Sequence, residues 1–142
     1  MKIAIAADHG GFELKENIKK AFDNIEWFDL GTNSTNSVDY PDFANKMAHT
    51  ILNKQAPLGI LICGTGVGIS IAANRYKGIR AALIYNNEVA KLAKQHNNAN
   101  ILVFGGRTMA VDDVINYIDT FMKAEYEDGR HQRRLDKIEK VE

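Results

Sequence analysis

The chain has 142 residues, of which 45% are hydrophobic and 25% are charged, the balance of a globular domain. Its 18 basic and 18 acidic residues give a formal net charge of zero, which argues against nucleic-acid binding and against an anionic membrane partner. A single cysteine excludes an internal disulfide and is typical of a reducing compartment, and no apolar run approaches the ~20 residues of a membrane span. We therefore expect one cytoplasmic domain over residues 1–142.

Apolar runs alternate with helical patterns along the whole chain. A continuous apolar run bounded by glycine or polar turns predicts a buried strand, whereas apolar positions three or four residues apart predict a helix face. In chain order, the predicted strands occupy residues 3–7, 25–30, 58–63, 79–84 and 101–104, and the predicted helices cover residues 11–22, 41–52, 69–76, 87–96 and 111–122.

The last fourteen residues, from Gly129 onward, are highly charged, with Leu135, Ile138 and Val141 spaced along them. This spacing predicts a helix that lies on the surface or packs against a partner. Strands that alternate with helices form parallel sheets with right-handed crossovers. The expected fold class is therefore α/β: a Rossmann-like three-layer sandwich with a five-stranded parallel sheet and a C-terminal helical extension.

Ligands of such a sheet bind beyond the carboxyl ends of its strands. The glycine-rich stretch Cys63–Gly68 (CGTGVG) follows the third strand, where its backbone N–H groups are expected to converge on an anion. It is not a Walker loop, because the next lysine is Lys77, and it is not a dinucleotide fingerprint, because position 69 is Ile. The alternative is a tight turn of purely structural use. The candidate loops begin at Asp8, Gly31, Cys63, Tyr85 and Gly105.

Cys63 occupies the last position of the third strand, next to these amides. A buried cysteine is often only structural, but the start of a helix favours the thiolate form and therefore a nucleophile or a proton-transfer base. Asp8 and His9 end the first strand at the same edge of the sheet. They either cap the following helix or join Cys63 in one site.

His96 ends the fourth helix, where an imidazolium interacts favourably with the helix dipole whether or not it has a further role. Because it precedes the fifth strand, it is expected near the amino edge of the sheet, away from Cys63. A second subunit is then needed to bring His96 to the same site. A catalytic His96 therefore implies an oligomer with shared sites.

Three arginines are candidates for phosphate binding. Arg130 and Arg134 are four residues apart and share one face of the predicted C-terminal helix, and Arg107 follows the fifth strand. A charged terminal helix is often only a solvated face, but paired guanidinium groups suit bidentate phosphate recognition. One cysteine and four scattered histidines give no metal-ligand spacing, so neither a metal nor another cofactor is expected.

Several separated motifs resemble those of the ribose-5-phosphate isomerase B and galactose-6-phosphate isomerase family. The resemblance extends over nearly all 142 residues, and the motifs occur in the family's order. Their combination is far more specific than any one of them. The motifs are residues 7–12 (ADHGGF), 39–41 (DYP), 61–74 (LICGTGVGISIAAN), 78–80 (GIR), 95–97 (QHN), 104–107 (FGGR) and 129–132 (GRHQ).

The resemblance implies an aldose–ketose isomerase of the non-oxidative pentose phosphate pathway, which interconverts D-ribose 5-phosphate and D-ribulose 5-phosphate through ring opening and an enediolate. It implies Cys63 as the base that moves a proton between C2 and C1. His96 is then the ring-opening acid, acting across a dimer interface, and Thr65 relays or orients that proton. The implied substrate contacts are Asp8, His9, Gly64, Thr65, Gly66, Val67, Gly68, Asn97, Arg107, Arg130 and Arg134.

Alternatives to this interpretation remain at the level of sequence. Some relatives replace the cysteine and use a carboxylate base in the following loop, but residues 64–73 contain no carboxylate here, which excludes that variant. An allose-6-phosphate or galactose-6-phosphate isomerase would use the same mechanism with room for one more carbon. A non-catalytic phosphometabolite-binding module would bind the sugar without hydrogen exchange. The assembly is expected to be a homodimer or a tetramer.

Overall fold

The structure is a computed structural model that describes residues 1–140, so Val141 lies outside the described residues. Its strands and helices alternate as the sequence predicts, and the fold class is confirmed. The strands are β1 (Lys2–Ala7), β2 (Glu26–Asp29), β3 (Leu58–Cys63), β4 (Ala81–Leu83) and β5 (Ile101–Gly105). The helices are α1 (Phe12–Ala21), α2 (Tyr40–Leu52), α3 (Val67–Ala73), α4 (Asn87–Gln95), α5 (Val111–Lys123) and α6 (Arg130–Glu139).

The five strands form one parallel sheet in the order β2-β1-β3-β5-β4. From β1 the chain first adds β2 on one side and then β3 on the other, so the strand order reverses between β1 and β3. This switch point opens a crevice outside the carboxyl ends of the two strands, where ligands of open α/β sheets bind. We call the edge where the strands end the carboxyl edge and the opposite one the amino edge.

Helices cover both faces of the sheet, which explains why the strands are continuous apolar runs. Ile3 and Ile5 of β1 point to the layer formed by α1, α4 and α5. Ala4 and Ala6, on the opposite face of the same strand, point to the layer of α2 and α3. Both β1 and β3 are therefore packed on their two faces as far as their carboxyl ends, Ala7 and Cys63.

Some predicted boundaries differ from the observed ones. The predicted strand over residues 79–84 is shortened to β4 because the Ile79 amide is engaged by the carbonyl of Tyr76 in a turn. β2 starts at Glu26 rather than at 25, since the Ile25 amide donates to Phe22. α3 begins two residues earlier than predicted and ends at Ala73.

The C-terminal extension is the helix α6, which lies along the amino edge. Its Leu135 is buried, and near its end Glu139 accepts a hydrogen bond from the Gly78 amide at 2.9 Å. Gly78 precedes β4, so this contact ties the last turn of α6 to the amino edge. Arg130 and Arg134 remain exposed on the helix.

A buried ion pair links α1 to the end of β2. The Lys15 side chain is only 1% exposed, and its Nζ lies 2.6 Å from Asp29 Oδ2. Lys19 Nζ lies 2.8 Å from the same oxygen, and the Gly31 amide donates to Asp29 Oδ1. Burial raises the pKa of Asp29, but the hydrogen bonds from the two lysines outweigh it, and the pKa lies below its ordinary value of 3.8.

Replacing Asp29 with asparagine is therefore expected to destabilise the fold, because it leaves the buried Lys15 charge with only one carboxylate partner, the half-exposed Glu16 at 3.1 Å. We expect the free energy of unfolding at pH 7 to fall by about 2 kcal/mol, the size of a hydrogen bond between charged groups. In the unmodified chain the stabilisation by Asp29 is present above its unfolded pKa and is lost as the pH falls through the lower folded pKa. Urea unfolding between pH 3 and 7 measures both effects, with the exposed Asp23→Asn as the control. Equal stability of Asp29→Asn and the unmodified chain at pH 7 would contradict this assignment.

Candidate active site

The turn over residues 64–68, which we call the glycine turn, joins β3 to α3 at the switch point. Gly66 has a φ of +82°, a conformation that favours glycine, and it immediately precedes the first residue of α3. Its amide donates to Cys63 Sγ at 3.2 Å. The sulfur therefore points into the turn, as predicted, and the Cys63 residue is 5% exposed in the single chain.

Three loops meet around the glycine turn. The Gly106 amide donates to the carbonyl of Cys63 at 2.8 Å, and the Arg107 amide donates to the carbonyl of Gly64 at 2.9 Å. On the other side, a Cβ atom at position 10 would stand 3.0 Å from the Gly64 nitrogen, so the absence of a side chain at Gly10 favours this close approach. The ends of β1, β3 and β5 thus converge on one small region of the carboxyl edge.

Asp8 and His9 lie at this convergence, and each holds a loop. Asp8 is buried, and its Oδ1 accepts hydrogen bonds from the amides of Gly10 and Gly11 at 2.9 and 3.2 Å. His9 Nδ1 accepts a hydrogen bond from the Val38 amide at 3.2 Å, so its ring is fixed against the loop before α2. The capping alternative is wrong, because the N-cap of α1 is Gly11, with no side-chain cap hydrogen bond, and Asp8 instead orders the turn that precedes the helix.

The outer side of the glycine turn carries exposed groups. Thr65 Oγ1 accepts a hydrogen bond from the Val67 amide at 3.2 Å, and both residues are exposed. The Arg107 guanidinium lies beside Gly64, since a Cβ at position 64 would stand 3.5 Å from Nη1. These groups flank the turn on the side open to solvent.

Tyr40 is a neighbour of the glycine turn that the sequence alone does not assign to the site. A Cβ at Gly68 would come within 3.0 Å of the Tyr40 hydroxyl, so the ring lies directly over the turn. The only signal for this residue was its place in the motif at residues 39–41. Its neighbour in that motif, Pro41, lies in the first turn of α2 as predicted, although the helix begins one residue earlier, at Tyr40.

The other predicted site residues lie at the amino edge. His96 caps the C-terminus of α4, and Asn97 follows it in the turn before β5. Arg80 holds this turn by donating from Nε to the carbonyl of Asn97 at 3.1 Å and from Nη2 to that of Asn98 at 2.9 Å. A strand rises about 3.3 Å per residue, so the five residues of β5 place this turn roughly 17 Å from the carboxyl edge.

The predicted site residues therefore form two groups within one chain. The carboxyl-edge group comprises Asp8, His9, Cys63, residues 64–68 and Arg107. The amino-edge group comprises His96, Asn97, Arg130 and Arg134, because the first turn of α6 packs against His96. The chain order predicts this separation, and the single chain does not bring the two groups together.

Two of the four histidines, scattered in the sequence, meet in the structure. His96, Glu127 and His131 each offer a ligand atom, and these atoms all lie within 4.8 Å of one another. The two rings are stacked with centroids 4.2 Å apart and planes inclined by 16°. The lone pairs of two nearly parallel rings lie in two nearly parallel planes and do not meet at one point, so one ring would have to turn before both could ligate one ion.

No helix within residues 1–140 has the length and apolar character needed to cross a membrane.

The chain is similar to isomerases over nearly its whole length. It is 43% identical to ribose-5-phosphate isomerase B of Escherichia coli over 143 residues, covering 99% of this chain and 96% of the relative. A crystal structure of a ribose 5-phosphate isomerase from Thermotoga maritima superposes with a TM-score of 0.97 at 53% identity, covering 99% and 98% of the two chains. The Mycoplasma genitalium ribose-5-phosphate isomerase B with bound ribulose-5-phosphate gives a TM-score of 0.91 at 46% identity, covering 97% and 93%.

A Rossmann-like sheet with a thiol at its switch point, matched end to end by such relatives, defines an enzyme that isomerises sugar phosphates. The model of one family, described as Ribose/Galactose Isomerase, matches residues 3–138. The chain belongs to that family.

Proposed function

We propose that this chain interconverts D-ribose 5-phosphate and D-ribulose 5-phosphate in the cytoplasm, as part of the non-oxidative pentose phosphate pathway. The observation that carries the proposal is the sulfur of Cys63, 3.2 Å from an amide of the glycine turn at the switch point. The relatives named for this reaction and the neighbour with bound ribulose-5-phosphate support the choice of substrate.

Cys63 is the base in this mechanism. Its thiolate takes the proton from C2 of the open-chain aldose, and the electron pair moves to give an enediolate with negative charge on the oxygen of C1. Cys63 then returns its proton to C1, and the proton on the C2 oxygen passes to the C1 oxygen, so that C2 becomes the ketone and C1 the hydroxymethyl carbon of the ketose. N–H groups of the glycine turn are suited to stabilise the oxyanion, because they are fixed before the reaction begins.

His96 of a second copy is the acid that opens the furanose ring. It donates a proton to the ring oxygen as the bond from that oxygen to C1 breaks, while the C1 hydroxyl gives up its proton to water and becomes the aldehyde. Thr65 orients or relays the donated proton. Within one chain His96 lies at the wrong edge, so this role requires an assembly with shared sites. In a twofold-symmetric dimer, contact between the amino-edge group of one copy and the carboxyl-edge group of the other completes two identical sites.

Exposed apolar side chains next to the glycine turn support such an assembly. Val67 and Ile71 are 48% and 60% exposed, and their spacing of four residues places them on one face of α3. Burying this face against a second copy would remove apolar surface from water right beside Cys63. A tetramer built from such dimers satisfies the same requirement.

The phosphate is held at the end of the substrate that does not react. Arg107 of the carboxyl-edge group and Arg130 and Arg134 of the partner's α6 supply guanidinium groups for it. Asp8, His9 and Asn97 complete the contacts to the sugar. Anchoring the phosphate positions C1 and C2 against the thiol, which converts binding energy into orientation.

Turnover of ribose 5-phosphate, measured beside allose 6-phosphate and galactose 6-phosphate, tests this proposal. We expect kcat/KM for the pentose to exceed that for either hexose by about tenfold or more, the usual effect of one extra carbon in a fitted pocket. Faster turnover of a hexose phosphate would reassign the substrate. Binding of ribose 5-phosphate without solvent-deuterium exchange at C1 or C2 would indicate a non-catalytic module.

Replacing Arg134 with alanine is expected to raise KM for ribose 5-phosphate by about 10- to 100-fold, since a charge-assisted hydrogen bond contributes about 1.5–3 kcal/mol. The value of kcat is expected to change by no more than a few-fold, because the reacting carbons are remote from the phosphate. Arg133→Ala is the matched control, since helical spacing turns Arg133 away from the packed face of α6. An unchanged KM in Arg134→Ala would remove this residue from the phosphate anchor.

A further inference from the structure

The ring of His96 rests on a second imidazole that the mechanism does not use. His131, in the first turn of α6, stacks on His96 with ring centroids 4.2 Å apart and planes inclined by 16°. The His131 residue is 5% exposed, whereas 37% of the His96 side chain is accessible. The His131 ring is therefore buried, and the His96 ring lies between it and solvent.

Main-chain hydrogen bonds and the buried side chain of Leu135 hold the segment around His131 in place. The His131 amide donates to the carbonyl of Asp128 at 3.2 Å, and the Glu127 amide donates to the carbonyl of Gln95, beside His96, at 3.0 Å. Leu135, one turn along α6, is buried. The segment that carries His131 is thus fixed to the end of α4, which carries His96.

The choice of an imidazole at position 131 is not explained by packing alone. Within residues 1–140, His131 Nε2 is the buried side-chain nitrogen or oxygen without a hydrogen-bond partner. Glu127 Oε1 lies 3.4 Å from this nitrogen and 3.8 Å from His96 Nε2, without hydrogen-bond geometry to either. Burying the unpaired Nε2 atom is unfavourable, so the presence of an imidazole at position 131 needs an explanation other than packing.

We propose that His131 is a positioning residue for His96: its buried ring fixes the orientation of the His96 imidazole. Without it, the half-exposed side chain at the end of α4 is free to change rotamer, and a proton donor displaced by about 1 Å loses much of its effect. This inference rests on the proposed function, in which His96 opens the furanose ring of the substrate. It assigns no contact with substrate to His131.

Ring opening and proton transfer are separated by two measurements. Net isomerisation of ribose 5-phosphate starts from a furanose and needs both steps. Exchange of the C1 hydrogen of ribulose 5-phosphate with D2O, followed by nuclear magnetic resonance, needs only Cys63, because this ketose is already open. A residue that acts through His96 affects the first measurement selectively, whereas general loosening of the site lowers both.

The variants are His131→Leu, which removes the flat ring, and His131→Phe, which keeps it. We expect His131→Leu to lower kcat for ribose 5-phosphate by about tenfold or more, with exchange at C1 changed less than twofold. His131→Phe is expected to recover most of the lost turnover. Circular dichroism and urea unfolding verify that both variants are folded.

A parallel fall of isomerisation and exchange in His131→Leu would overturn the inference, because it indicates a structural role only. Equal loss in His131→Phe would overturn it as well, since the stack would then not matter. His96→Ala distinguishes failure of the inference from failure of the proposed function. If His96→Ala loses ring opening and His131→Leu does not, only the inference fails, whereas normal ring opening in His96→Ala refutes both.

Discussion

Replacing Cys63 with alanine is expected to lower kcat for ribose 5-phosphate by about 10³-fold, because proton transfer by a positioned base contributes about 10²- to 10⁴-fold. Residues 64–73 contain no carboxylate that could take over the proton. Exchange of deuterium into C1 of ribulose 5-phosphate is expected to fall by the same factor. The coupled loss follows because both processes pass through the enediolate.

A binding measurement distinguishes loss of the base from loss of the whole substrate site. The Cys63 sulfur accepts one amide hydrogen bond in the turn and is not part of the proposed phosphate anchor. We therefore expect the dissociation constant of ribose 5-phosphate, measured by calorimetry on Cys63→Ala, to stay within a few-fold of the unmodified chain. Cys63→Ser, which keeps the shape and replaces the thiol by a much weaker acid, is expected to be nearly as inactive. Near-normal turnover by either variant would refute the assignment of the base.

Local sequence patterns predict the bounds of the central strand of the sheet better than those of an edge strand. β3 is predicted to the residue, because the continuous apolar run from Leu58 to Cys63 is bounded by Pro57 and Gly64. β4 is shorter than predicted because the Arg80 amide is engaged by the side chain of Asn100, twenty residues away in the sequence. No local pattern encodes such a contact.

The start of α3 shows why glycine signals mislead at helix ends. Gly68 is an unfavourable helix residue, so the sequence predicts a helix that begins after it. In the structure the helix begins at Val67, because the positive φ of Gly66 turns the chain there and Tyr40 packs over Gly68. The close approach of the Tyr40 ring leaves no room for a side chain at position 68.

The candidate site, like the fold, is predicted from the sequence only in part. The position of Asp8, Cys63 and Arg107 at one edge follows from the parallel direction of the strands, which the alternation of elements predicts, and the strand order then brings them together. The contact of Tyr40 with the glycine turn and the stack of His131 on His96 depend on how separate elements pack. These tertiary contacts have no periodic signal, so the sequence indicates the edge of the sheet but not every neighbour.

The position of His96 is the prediction with the widest consequence, because it links the chain order to the assembly. A residue between α4 and β5 lies at the amino edge in any right-handed parallel sheet, and the structure places His96 there. The thiol lies at the other edge. A mechanism that needs both groups at one sugar therefore needs two chains.

Mixing two inactive variants is expected to restore activity. Cys63→Ala keeps a normal amino-edge group, and His96→Ala keeps a normal carboxyl-edge group. After random exchange of equal amounts, about half of the dimers are mixed, and each has one site with both residues intact. Turnover is therefore expected to reach about a quarter of that of the unmodified enzyme at the same total concentration.

The matched control mixes Cys63→Ala with Cys63→Ser. Both variants damage the carboxyl-edge group, so no combination of their chains contains an intact site, and activity is expected to stay at the level of the separate variants. Subunit exchange is verified by native mass spectrometry on chains of different mass. Recovery in the first mixture but not in the second requires that one chain supplies Cys63 and another supplies His96. If verified mixed dimers remain inactive in both, the two groups act within one chain or His96 has no catalytic role.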